Sequence, residues 1–116
     1  MRMDVHQVAD VTVIAVAGEV SLNKGGETAL GDKVRSLLQE GHRKLVVDLT
    51  HVSYMDSAGL GQLVQAHSSS TKVGASLRLA GLTARMKDLL TITKLLMVFD
   101  TYAVEGEAVA SFSAAH

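Results

Sequence analysis

The run Leu45-Val46-Val47-Asp48-Leu49 is apolar at every position but one. A strand of this kind has no polar face to turn toward water, so it belongs in the middle of a sheet that is covered on both sides. The chain around it must therefore supply the cover. Directly after it, Tyr54, Met55 and Asp56 lead into Ser57-Ala58-Gly59-Leu60-Gly61, and Leu60, Leu63, Val64 and His67 then fall on one side of a helix.

The flanking segments carry the same alternation. Met3 and Val5, then Val11 to Val16, read as two strands joined by a tight turn at Ala9-Asp10, with Gly18 ending the second. Ser21 or Asn23 can cap a first helix bearing Leu30, Val34, Leu37 and Leu38, and Gly41 stops it. The serine-rich stretch from Ser68 to Thr71, with Gly74, closes the second helix, and Leu77 to Gly81 form another strand. Thr83 can cap a third helix with Met86, Leu89 and Leu90 inward, and Val98, Phe99 and Tyr102 suggest a short last strand. Val104, Ala108, Val109 and Phe112 stripe a fourth helix, with Glu105 and Glu107 where acidic side chains suit its dipole. This order predicts one α/β domain over residues 1–116, a mostly parallel sheet with an N-terminal hairpin strand and about four helices.

Composition narrows what such a domain can do. With 47% apolar residues in 116, it can bury a core without staples, and with no cysteine it has neither disulfide nor thiolate chemistry. No apolar run approaches the roughly 18 residues of a membrane span, and Met1 to Val8 lack the apolar centre of a signal peptide, so a cytoplasmic protein is expected. The formal net charge of -1, with both signs interspersed, gives no cationic footprint for nucleic acid. Tyr54, Phe99, Tyr102 and Phe112 are too few for a base-stacking platform.

One serine stands apart. Ser57 lies where a strand turns into a helix, and the free N–H groups of a helix N-terminus suit a phosphate there. The plainer assignment makes Asp56 or Ser57 an N-cap, worth about 1 kcal/mol. Gly59 and Gly61 weaken the helix they sit in, which points either to close packing on the sheet or to a second molecule approaching bare backbone. Enzyme chemistry is not indicated. Met55 replaces the first glycine a nucleophile elbow needs, and Gly59-Leu60-Gly61 has Val64 at the third glycine of a dinucleotide fingerprint. His6, His42, His51, His67 and His116 are scattered without ligand spacing, so surface or terminal positions and no metal site are expected.

Gly18-Glu19-Val20, Leu45 to Thr50, Val52, Tyr54 to Gly61 and the tail from Val98 to Ala108 together resemble a STAS domain, and more narrowly the stand-alone anti-sigma factor antagonists of bacteria. The resemblance implies strands in sequential order, with right-handed crossovers stacking the helices on one face of the sheet. It also implies a function: the unphosphorylated domain binds an anti-sigma factor that is a serine kinase, phosphorylation of Ser57 breaks the complex, and a serine phosphatase restores it. ATP and magnesium belong to that kinase, and the domain carries no cofactor or catalytic residue of its own. On the same resemblance, Asp56, Ser57, Ala58, Gly59, Leu60 and Gly61, with Ser21, are expected to form the recognised surface. The chain departs from the family pattern at Ser21, where an acidic residue is frequent, and at Lys94, where glycine is. Related domains also serve as scaffold subunits of signalling, lipid-transport or anion-transport assemblies, and in that alternative Ser57 is only a helix cap.

Overall fold

The computed structural model describes residues 2–20 and 29–113. Strands β1 (Arg2–Val8) and β2 (Val11–Val20) form the hairpin, followed by α1 (Ala29–Gln39), β3 (Lys44–Met55), α2 (Ser57–Lys72), β4 (Ser76–Ala80), α3 (Ala84–Ile92), β5 (Asp100–Tyr102) and α4 (Glu105–Ser113). The five strands lie in the order β1-β2-β3-β4-β5, with β1 antiparallel to β2 and every other neighbour parallel. Architecture and order are those expected. The proposed caps Ser21 and Asn23 fall outside the described residues.

Local chemistry accounts for the joints. Ala9 takes φ +56° at the first position of the two-residue hairpin turn, and Lys44 holds the turn to the start of β3 through Asp10. Thr83 Oγ1 accepts from the Met86 N–H at 3.2 Å, so it caps α3 as expected. Two boundaries differ from the sequence reading. Gly18 does not end β2: with φ +87° it sits at a register slip against β3, and the strand runs on to Val20. Nor does the last strand include Val98 and Phe99, since β5 begins at Asp100; the serine-rich stretch and Gly74, by contrast, close α2 as expected, at Lys72 with Gly74 at φ +77°. The Ser70 and Thr71 hydroxyls donate to the carbonyls of Ala66 and His67 one turn back, which keeps these residues inside the helix.

The sheet is covered on both faces, as the apolar run in β3 demands, but unequally. Ile14, Leu45, Val47, Leu49, Leu77 and Leu79 meet Leu30 and Val34 of α1, Leu60 and Leu63 of α2, and Met86 and Leu90 of α3 in the main core. Val11, Val13, Val46 and Ala80 point the other way and pack against Ala108 and Phe112 of α4. This corrects the expectation that all helices share one face. The three crossover helices do share it, because right-handed crossovers between sequential parallel strands leave them no choice. Helix α4 follows the last strand, is no crossover, and folds back over the opposite face. Arg78 anchors it, with its guanidinium 3.9 Å from the centre of the Phe112 ring and donating to Ser111 Oγ.

Two histidines expected at the surface are half-buried instead. His67 meets Phe99 edge to face at 5.3 Å, and His42 Nδ1 lies 2.7 Å from Thr12 Oγ1. His6 and His51 are exposed.

Candidate functional site

Strand β4 stops at Ala80, which pairs with Asp48, whereas β3 continues to Met55 with only β2 beside it. The last residues of β3 therefore stand above the rest of the sheet and carry the β3–α2 junction to its rim. Asp56 makes the turn in an extended conformation, φ -101° and ψ -173°. Its backbone N–H donates to the Val20 carbonyl at 3.4 Å, its carbonyl accepts from Leu60 N–H at 2.9 Å, and its Oδ1 accepts from Gly59 N–H at 2.9 Å. A single residue thus ties the end of β2, the end of β3 and the first turn of α2.

That settles which of the two candidates caps the helix. Asp56 is the N-cap, and Ser57 is the first helical residue, exposed to solvent. Its hydroxyl is not the group that satisfies the Gly59 amide. At this position the backbone N–H groups of Ser57 and Ala58 have no intrahelical acceptor, and the helix dipole places partial positive charge around the serine oxygen.

The two glycines divide between the explanations offered for them. A Cβ on Gly59 would lie 2.1 Å from the Val20 carbonyl oxygen and 2.8 Å from Met55 Cγ, so this glycine is what lets α2 seat against the end of β2. A Cβ on Gly61 would meet nothing within 4 Å, and the residue is exposed. Packing explains the first and leaves the second unexplained. Leu60 is turned into the core and Gly59 is buried, so the solvent-facing part of the predicted surface is Ser57 and Gly61, with Asp56 and Ala58 partly covered. Ser21 lies outside the described residues.

Sequence reasoning missed Gln62. It is 3% exposed, and its Oε1 accepts the Leu30 N–H at 2.9 Å, so α2 supplies an acceptor to the first turn of α1. The signal was a polar residue beside Leu63 on a helix that packs on the sheet. Glu19 and Tyr54, part of the motif residues but given no site role in the sequence, are paired across β2 and β3 just before the junction, with Tyr54 43% exposed. The cavity nearest the junction, between Tyr54, Met55, Thr83 and Arg85, measures about 10 Å³, room for about one water. Among the described residues no three His, Cys, Asp or Glu side chains group as metal ligands, and no helix is long and apolar enough to cross a membrane.

Fold and site together define a small α/β domain with one serine presented at the sheet rim on a capped helix start. The chain belongs to the STAS domain family, whose model matches residues 2–108. It is 39% identical over 98 residues to the anti-sigma-B factor antagonist of Listeria monocytogenes, covering 81% of each chain. It is 34% identical over 103 residues to the anti-sigma-B factor antagonist of Bacillus subtilis, covering 89% of this chain and 92% of that one. Among solved structures, the Bacillus cell fate determinant SpoIIAA in its phosphorylated form superposes with a TM-score of 0.74 at 18% identity, over 96% of this chain and 99% of that one.

Proposed function

We propose that this protein is an anti-sigma factor antagonist: a cytoplasmic binding module, without catalysis of its own, that holds an anti-sigma factor with serine kinase activity and releases it once Ser57 is phosphorylated. The observation that carries the reading is the division of labour at the junction, where Asp56 does the capping and Ser57, one residue on, stands exposed with no capping task. The identities to two proteins named anti-sigma-B factor antagonists support the class of partner. The scaffold alternative, in which Ser57 is only a cap, loses its reason for the serine.

The chemistry asked of this chain is small. The Ser57 oxygen attacks the γ-phosphorus of the kinase's ATP, ADP leaves, and the hydroxyl proton passes to a base of the kinase; ATP and magnesium are the partner's. The product adds about 1.5 to 2 negative charges next to Asp56, a repulsion that the N-terminal end of α2 partly offsets, so the domain stays folded. A protein pressed onto the same corner must instead bury that charge. Turning the complex from nearly all bound to nearly all free takes about 5.5 kcal/mol, within reach of a buried, unpaired dianion. A serine phosphatase closes the cycle. Gly61 fits this reading as bare backbone in the docking face.

Intact-mass measurement of the protein from its native cells, with site mapping, tests the assignment. Phosphate on residue 57 and on no other residue is expected, with Ser57→Ala folded and unphosphorylated. Phosphate persisting in the alanine variant overturns it.

A further inference from the structure

We propose that the free edge of β1 is a self-association edge, on which a second copy of this chain adds its own β1 antiparallel to make one continuous sheet. Among the described residues β1 has a hydrogen-bonded neighbour on one side only. Exposed edges of this kind are usually blunted by proline, a bulge or a run of charge. Here the pairing with β2 runs unbroken from Arg2 to Val8, there is no proline, and Val5 and Val8 are each 40% exposed.

The register follows from which backbone groups are free. A two-residue turn makes Val8 and Val11 the hydrogen-bonded pair that closes it, and the alternation of an antiparallel ladder then gives His6, Asp4 and Arg2 to β2. The N–H and C=O groups of Met3, Val5 and Gln7 point away, toward the open edge. These positions are self-complementary about a two-fold axis at Val5: Val5 faces Val5, and Met3 faces Gln7 of the second copy, each pair able to exchange both of its hydrogen bonds.

Charge selects the same register. With the axis at Val5, Asp4 stands opposite His6 of the second copy, twice, at the non-hydrogen-bonded positions where side chains come closest. His6 Nε2 lies 3.1 Å from Glu105 Oε2, which leaves Nδ1 as the ring nitrogen available to Asp4 of the second copy. Slipping the axis to Asp4 sets carboxylate against carboxylate, and slipping it to His6 sets imidazole against imidazole; both also lose a backbone pair. Because β2 separates β1 from the strand that leads to Ser57, the second copy adds its strands about 10 Å or more to the far side of that strand.

Sedimentation of the full chain from micromolar to near-millimolar concentration tests the inference, with amide exchange measured at both ends of the range. The expected results are a mass that rises from monomer toward dimer and slowed exchange at Met3, Val5 and Gln7 in the concentrated sample. Val5→Lys, which sets two like charges on the axis at an already exposed position, should weaken association at least tenfold while its melting curve stays cooperative. A chain that remains monomeric throughout overturns the inference. So does a dimer whose Met3, Val5 and Gln7 amides exchange as fast as the monomer's, or one that folded Val5→Lys forms equally well.

Discussion

The same substitution made two residues apart should have opposite effects on stability. Gly59→Ala drives a methyl to 2.1 Å from the Val20 carbonyl oxygen, and since real Cβ contacts do not fall below 3.0 Å, either β2 or α2 must move by roughly 1 Å. The atom struck is backbone, and the same carbonyl receives the Asp56 N–H at 3.4 Å, so the shift also pulls on the junction. Overpacking of this kind costs about 1 to 3 kcal/mol, and a rigid backbone target argues for the upper end. Alanine returns up to about 1 kcal/mol of helix propensity, leaving a net loss of about 2 kcal/mol. Gly61→Ala collects the same propensity gain with no contact to oppose it, about 0.5 to 1 kcal/mol of added stability. Both variants change the unfolded chain alike, so the contrast between them isolates the folded-state clash. In thermal or urea unfolding, Gly59→Ala should melt about 10 °C below the parent and Gly61→Ala about 3 to 5 °C above it. Equal shifts of the same sign would refute the packing account of Gly59. Under the proposed function, Gly61→Ala should also weaken binding to the anti-sigma factor, tenfold for each 1.4 kcal/mol its methyl costs in the complex.

Other expectations follow from the same geometry. Asp56→Ala removes the acceptor for the Gly59 amide and should cost about 1 kcal/mol, whereas Ser57→Ala, at an exposed non-capping position, should stay within about 0.5 kcal/mol of the parent; paired urea titrations measure both. Lys94 takes φ +62°, a left-handed conformation that suits glycine, so Lys94→Gly should add about 0.5 to 1 kcal/mol of stability, read as a higher urea midpoint. The hydrogen bond from Lys44 holds the Asp10 carboxyl below its ordinary value of 3.8. A carboxylate depressed in the folded state adds stability above its unfolded pKa and loses it as pH falls through the folded one. Lys44→Met should therefore move the Asp10 titration, followed by carboxyl NMR, up toward 3.8 and flatten the acid side of the stability profile around that residue.

The site was legible in the sequence to the extent that its chemistry is local. Asp56 and Ser57 stood out because a strand pattern passes into a helix pattern at that point, and capping is decided within one turn. Which of them caps was not legible: the choice turns on Asp56 being held extended by the Val20 carbonyl, 36 residues earlier in the chain. The glycine pair was equally ambiguous, since both weaken the helix to the same degree and only the position of β2 separates the one that packs from the one that faces water. Gln62 was overlooked because its acceptor role belongs to the first turn of another helix.

Hydrophobic period, turn residues and the doubly apolar β3 were enough to determine an α/β domain, its element order and the place of the strand-to-helix junction, because these depend on neighbours within a few residues. Tertiary structure alone decided the slip at Gly18, the return of α4 to the opposite face, the half-buried settings of His42 and His67, and the exposure of Ser57 beside a cap made by its neighbour. Those features arise where segments distant in sequence compete for the same space and the same hydrogen-bond partners, and a one-dimensional pattern carries no record of which of them wins.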